Sequence, residues 1–305
     1  MLNFEHIQNT IILNEAGVLN SNLDDSISIL NQWPLELKIE GKNAVELQVI
    51  FDVKNEANLD VCYLVNKNVQ LKLVEVWQFK SKTNYKRTLK QAENSHCQVI
   101  ILNQSDHQDL LFVDEHVSLE KDASIKVGYG ELGNGSQDSS YVYDLNGEGA
   151  TANISLAALS CENDNKHFEV VLNHHAPFTY GEMENYGACK DHSILTFDGV
   201  GRIDQGMHQS STHQTSKIMV FDGNCVARAN PYLYIDDYDV KASHAAGVGR
   251  MDDEHLYYLQ SRGLTKSQAM HLITYGYLLP AILNMKDDEV TARFETMLEK
   301  KVGNA

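Results

Sequence analysis

The chain lacks most of the signatures that announce a chemistry. Its five cysteines, Cys62, Cys97, Cys161, Cys189 and Cys225, include no CxxC or CxxxC pair. An odd number of scattered thiols argues against a disulfide framework, and a closed zinc site needs close-spaced ligand pairs. Reduced, mostly buried thiols are expected, because free cysteine packs as a small hydrophobe. No HExxH, EF-hand loop, P-loop or GxSxG occurs. Nor is there an apolar run of about 18 residues, so no transmembrane helix is expected. The first residues, MLNFEHIQNTIILNE, carry no Lys or Arg ahead of their apolar positions, unlike a secretory or mitochondrial leader. Positive charge is scarce, with 25 Lys and Arg against 42 Asp and Glu, a net charge of −17. Such a surface repels phosphate backbones and anionic membranes, so nucleic-acid and membrane partners are not expected. It suits solubility, or a partner with a basic face; a cytoplasmic location is expected.

What the chain does have is strand after strand. Over 41–241, Val45, Leu47, Val49, Phe51 and Val53 alternate with polar residues, Ile50 being the exception. That period of two marks a strand with one buried face. Val69, Leu71 and Leu73 continue it, but Val74 and Val76 break the phase. Further short runs, such as Cys97 to Leu102, Asn153 to Leu159, Phe168 to Leu172 and Tyr232 to Ile235, are separated mostly by Gly, Asn and Asp. A sandwich, a barrel or a stacked β-helix would all fit. Strands recurring every roughly 15–25 residues suit a solenoid, although no sharp repeat is visible. Residues 1–40 read as a cap or partly ordered entry segment.

The C-terminal residues 242–305 read as a helical domain. Asp252 and Asp253 can cap a helix holding Leu256, Tyr257 and Leu259, which Gly263 would end. Thr265 to Gln268 has the form of a capping box. Pro280 limits or kinks the second helix, and Val290, Phe294, Met297 and Leu298 stripe a third.

Some features mimic sites. Gly128-Tyr-Gly-Glu-Leu-Gly133 matches GxGxxG, but a turn and strand follow it, not the helix N-terminus that a dinucleotide needs. His174 and His175 are adjacent, so on a strand they face opposite ways. His208 and His213 lie in a polar run and read as solvated. Asp236, Asp237 and Asp239 could be paired carboxylates of a β-helix carbohydrate-active enzyme, although a secretory leader is missing. Cys225 follows a strand in the turn Asp222-Gly-Asn-Cys, and His244 sits among small residues in ASHAAGVG. A thiolate and an imidazole suit soft or borderline metals, including iron in a sulfide cluster.

The run DDYDVKASHAAGVGRMDDEHLYYLQSRGL (236–264) resembles the C-terminal signature of the SufB/SufD family of iron–sulfur cluster assembly proteins. NHHAP (173–177), FDGVGRID (197–204) and ANPYLYI (229–235) are similar to further family segments. The wording is most like the D-type subunit. The resemblance implies a right-handed parallel β-helix body with a C-terminal α-helical domain. It implies a non-catalytic scaffold that pairs with a B-type subunit and docks a SufC-type ABC ATPase, which would hydrolyse the ATP. No tightly bound cofactor is expected, only transient iron or a cluster in the assembled complex. His244 matches the family's interface histidine. Some D-type members carry Cys where Ala242 stands, and the B-type Glu after the His is Ala245 here. Cys225 stands six residues before Pro231, as a B-type ligand cysteine does. His244 and Cys225 are therefore the expected metal contacts, and Tyr257, Tyr258 and Arg262 the expected ATPase contacts. A homodimer through the β body is expected in the absence of the B-type subunit. A purely structural oligomerisation module is the third reading.

Overall fold

The computed structural model describes residues 4–302 apart from 42, 222 and 284–286. Among these residues, nineteen strands and three helices follow in order. The first four strands are β1 (Asn9–Asn14), β2 (Gly17–Asn22), β3 (Ile27–Gln32) and β4 (Leu35–Ile39). Then come β5 (Val45–Val53), β6 (Ala57–Val65), β7 (Gln70–Phe79), β8 (Thr83–Gln91) and β9 (His96–Asn103). The middle holds β10 (Asp106–Leu119), β11 (Ser124–Glu131), β12 (Asn134–Leu145), β13 (Thr151–Ser160) and β14 (Asn165–His174). The last are β15 (Tyr180–Cys189), β16 (Ile194–Ile203), β17 (Ser211–Val220), β18 (Val226–Ile235) and β19 (Lys241–Arg250). The helices are α1 (Asp253–Ser261), α2 (Lys266–Leu283) and α3 (Asp288–Val302).

From β5 onward, odd strands stack in one parallel sheet and even strands in the other. The chain thus coils as a parallel β-solenoid of two strands per turn. Val45 pairs Leu71, 26 residues on, and Gly199 pairs Pro231, 32 residues on. Successive strands begin only 10 to 18 residues apart, closer than the sequence suggested, because each coil holds two of them. The sheets also reach beyond 41–241. At the start β1 joins the odd sheet, while β2 and β3 form antiparallel hairpins with β1 and β4. At the end β19 carries the odd sheet to Arg250.

A repeat does exist, in the backbone of one corner. Asn68, Asn94, Asp122, Gly149, Phe178 and Gln209 all have φ between 55° and 75° and recur once per coil. Asn, Asp and Gly tolerate this left-handed region best. A buried residue follows each: Val69, Ser95, Ala123, Ala150, Thr179 and Ser210. The Asn94 amide donates to Asn68 Oδ1 at 2.7 Å, so neighbouring corners are also bonded side chain to side chain.

Two apolar layers result. One fills the solenoid lumen, with Trp77, Phe51, Phe79 and Phe168 fully buried. The other lies outside the odd sheet, where Val74, Val76, Ile100, Leu102 and Leu159 meet Leu278, Ile282, Phe294 and Leu298 of α2 and α3. This explains the broken phase at Val74 and Val76: that sheet is covered on both faces. Gly130 makes room for the cover, since a Cβ there would sit 2.9 Å from Phe294. Gln48, expected on a polar face, is buried instead. It accepts from Phe4 N and donates to Phe4 O and Ile7 O at 2.9 to 3.0 Å, holding the N-terminal segment against the body.

The helix signals hold. Asp252 is the N-cap of α1 and accepts from Glu254 N, and Gly263 has φ +96°. Thr265 and Gln268 make both bonds of a capping box, at 2.9 and 3.2 Å. Pro280 does not end α2, which runs three residues past it.

The lumen also holds charge. Arg87, fully buried, donates from Nε to Glu75 at 2.9 Å and from Nη1 to Glu115 at 2.5 Å. Tyr63 and Tyr85 donate to Glu75, and Tyr129 and Tyr143 to Glu115. Two carboxylates facing one guanidinium need these phenols, because a buried charge without partners costs several kcal/mol.

Candidate functional site

The final coil differs from all the others. Paired strands share a facing, so β18 and β19 continue the inward columns of β16 and β17. In β17 inward residues such as Thr212, Gln214 and Ile218 are buried, whereas in β19 all ten residues are exposed. Val226, Tyr232, Tyr234 and Val248 are exposed too. Among the described residues β18 and β19 are the last strands of their sheets, each with one edge unpaired by another strand. An open sheet edge over an uncovered lumen is a ready surface for another chain.

His244 lies in this coil. It pairs with Gln214, so it stands in the lumen-facing column, and it is exposed. Cys225 is half-buried at the β17–β18 turn, its thiol donating to Asp191 O at 3.5 Å. Asp222 of that turn lies outside the described residues. The two candidate ligands sit apart. Cys225 is near the end of the coil marked by Cys189, Val220 and Arg250, which align across three strands. His244 is six residues back from Arg250, about 20 Å along a strand. Among the described residues, no three His, Cys, Asp or Glu side chains gather where they could hold a metal. The other thiols offer little: burial pushes Cys161 up to about 11 and Cys97 higher still, so both stay protonated at neutral pH.

The remaining decoys resolve by geometry. His174 is fully buried and His175 faces outward, with Nδ1 2.6 Å from Asp204. His213 Nδ1 lies 2.7 Å from Ser243 Oγ, which ties β17 to β19. Asp237 accepts from the amides of Gly206 and Asp239, both at 2.9 Å, so it builds a turn. Gly128 to Gly130 lie within β11, and β12 follows with no helix N-terminus.

Next to the open coil stands α1, with no buried residue. Tyr257 is 75% exposed and Tyr258 54%, and the Arg262 guanidinium lies 5.2 Å over the Tyr258 ring. Aromatic and Arg side chains held at a surface are the common anchors of protein interfaces. In contrast, α2 and α3 bury Leu278, Ala281, Ile282, Phe294 and Leu298 against the body. Among the described residues no helix is long and apolar enough to cross a membrane.

Comparison with known proteins identifies the family. A family model described as "SUF system FeS cluster assembly, SufBD core domain" matches residues 52–277. SufD of Bacillus subtilis is 30% identical over 182 residues, covering 60% of this chain and 42% of that protein. SufD of Escherichia coli is 26% identical over 206 residues, covering 68% and 49%. SufB of B. subtilis is 24% identical over 136 residues, covering 45% and 29%. The chain spans about half the length of the SufD relatives it matches. The matched core takes in seven of the eight coils and the first turns of the helical cover, and on these grounds the chain belongs to the SufB/SufD family of the SUF iron–sulfur cluster assembly system, on its D-type side.

Proposed function

We propose that this chain is a scaffold subunit of a SUF assembly complex, non-catalytic in itself. The observation that carries the reading is the open last coil, exposed at every position of β19. A B-type subunit, built on the same kind of solenoid, would pair with β18 and β19 and cover the lumen. His244 would then face the joint, where iron or a nascent cluster passes as cargo and the partner supplies the further ligands. Cys225 would serve at the other end of the coil, either as a second contact or as packing. A SufC-type ATPase would dock on α1 through Tyr257, Tyr258 and Arg262. The acidic surface and five scattered cysteines suit a reducing cytoplasm.

The test is reconstitution with a B-type subunit and the ATPase. A stable complex is expected, with substitution of Val248 by Lys blocking B-type pairing and Tyr258→Ala with Arg262→Ala weakening ATPase binding at least tenfold. Failure to bind any such ATPase with the B-type subunit present would overturn the reading. In the absence of a partner the same edge favours a second copy of the chain, measurable by sedimentation.

A further inference from the structure

We propose that a cleft on the outer face of the even sheet docks an extended, positively charged segment of a partner protein. Among the described residues the helices pack on the odd sheet and leave this face bare. Asn58, Asn84, Phe112 and Asp138 stand in one outward column across β6, β8, β10 and β12, and all four are exposed. A bulge shapes the face: β10 takes four residue steps from Asp106 to Leu110 where β12 takes two, from Asn134 to Ser136. Two hollows of about 540 and 590 Å³, one over Phe112 and the other beside Asp109 and Leu110, share Asp138 as a wall. Together they run from β6 to β14, four strand spacings or about 19 Å. β16 separates this cleft from β18, so it stays accessible when the last coil is paired.

The chemistry of the occupant follows from what the cleft already satisfies. Asn58 Oδ1 accepts from Asn84 at 2.7 Å, Ser140 donates to Glu169 at 2.9 Å, and Asp138 lies 2.9 Å from His167 Nδ1. Asp60 and Asp114 keep acceptors to spare. Among the described residues Asp114 meets His116 alone, at 3.2 Å, and Asp60 accepts no hydrogen bond, while Lys86, between them in register, forms an ion pair with neither. Carboxylates only accept, so the cleft calls for donors, and Asp60, Asp114 and Asp138 against Lys86 call for positive ones. A sugar hydroxyl would bring acceptors along with its donor, whereas an ammonium or guanidinium brings donors alone. Phe112, 38% exposed, offers an aromatic face that attracts the same groups. Asp60 and Asp114 share a column two strands apart, about 10 Å. A polyproline II segment presents the same face every three residues, about 9 Å, so basic side chains at every third position reach both carboxylates. The net charge of −17 draws such a segment in, and the cleft selects it.

The experiment measures fluorescence anisotropy of a labelled peptide of Arg-Pro-Ala repeats with the full chain at physiological salt. The peptide is expected to bind, and the same peptide with Gln for Arg is not. Asp60→Asn combined with Asp114→Asn should weaken binding about fivefold, and Phe112→Ala about threefold. Glu295→Gln combined with Glu299→Gln removes the same charge from exposed positions of α3 and should leave binding within about twofold. An equal loss in that control pair would reduce the effect to attraction by net charge and overturn the proposal. So would a peptide that does not bind, or a neutral hexasaccharide that binds in its place and is lost with Phe112→Ala. All these substitutions lie on the surface, and an unchanged urea midpoint confirms that each variant is folded.

Discussion

Acid should loosen this solenoid at His174. The ring is fully buried at the end of β14, with Nδ1 2.7 Å from Thr179 Oγ1. Thr179 can direct its hydroxyl to Ala176 O, 3.1 Å away, so Nδ1 carries the donated proton. Nε2 then holds a bare lone pair with no partner among the described residues, in space that Gly181 leaves open. Adding a proton at Nε2 would bury a cation with no acceptor. Burial first, and the neighbouring His175 second, lower its pKa from 6.5 to about 4, against an opposing pull from Asp204. Between those values the unfolded chain binds more protons than the folded one, so stability is complete above pH 6.5 and falls as the pH drops toward 4. At 1.36 kcal/mol per pH unit the loss is about 3 kcal/mol, a large share of a domain's stability. Urea melts at pH 7.5, 6, 5 and 4.5 would measure it. His174→Asn keeps a donor for Thr179 and cannot take up the proton. It should start less stable but lose about 3 kcal/mol less than the parent over the same range. Equal slopes for the two proteins, or a His174 ring signal that titrates near pH 6.5, would refute the reasoning.

Two further perturbations probe the body and its cover. Arg87→Met leaves Glu75 and Glu115 buried without their cation and should cost about 3–5 kcal/mol, seen as a lowered urea midpoint that a second change, Glu115→Gln, partly restores. Gly130→Val drives a side chain into Phe294 and should destabilise α3 by about 1–3 kcal/mol, with proteolysis near α3 accelerated before the strands open. His167 bridges Asp138 and Asp198 at 2.9 Å; burial opposes its charge, but these bonds outweigh it and raise its pKa. Its contribution is therefore present below pH 6.5 and lost as pH rises through the raised value. Being part-exposed, it should move stability by less than about 1 kcal/mol, and His167→Gln should flatten that alkaline loss.

The fold was legible wherever burial used aliphatic residues. The alternation from Val45 to Val53 marks β5, and the caps at Asp252, Gly263 and Thr265 mark the helices. Strands β8, β12 and β15 were harder to see because their inward residues include Arg87, Gln137, Ser139, Tyr141, Gly181 and Asn185. A lumen that buries polar groups in bonded networks produces no hydrophobic period. The coil repeat escaped for a related reason. It lies in backbone angle, and Asn (twice), Asp, Gly, Phe and Gln fill the left-handed corner, so no one residue type marks it.

The candidate site could be named from the sequence, but its geometry could not. His244 could be placed by resemblance, yet its facing depends on register with β17, which no local signal sets. A slip of one residue would turn His244 outward and bring Ser243 into the lumen. The strength of that register comes from below. Four coils fix β11, β13, β15 and β17 by parallel pairing on a filled lumen, and His213 adds a side-chain bond to Ser243 on the outer face. With Ser243 held outside, His244 must point inward above Gln214. The open coil therefore presents a fixed surface, with the lumen-facing column of β19 exposed at every position.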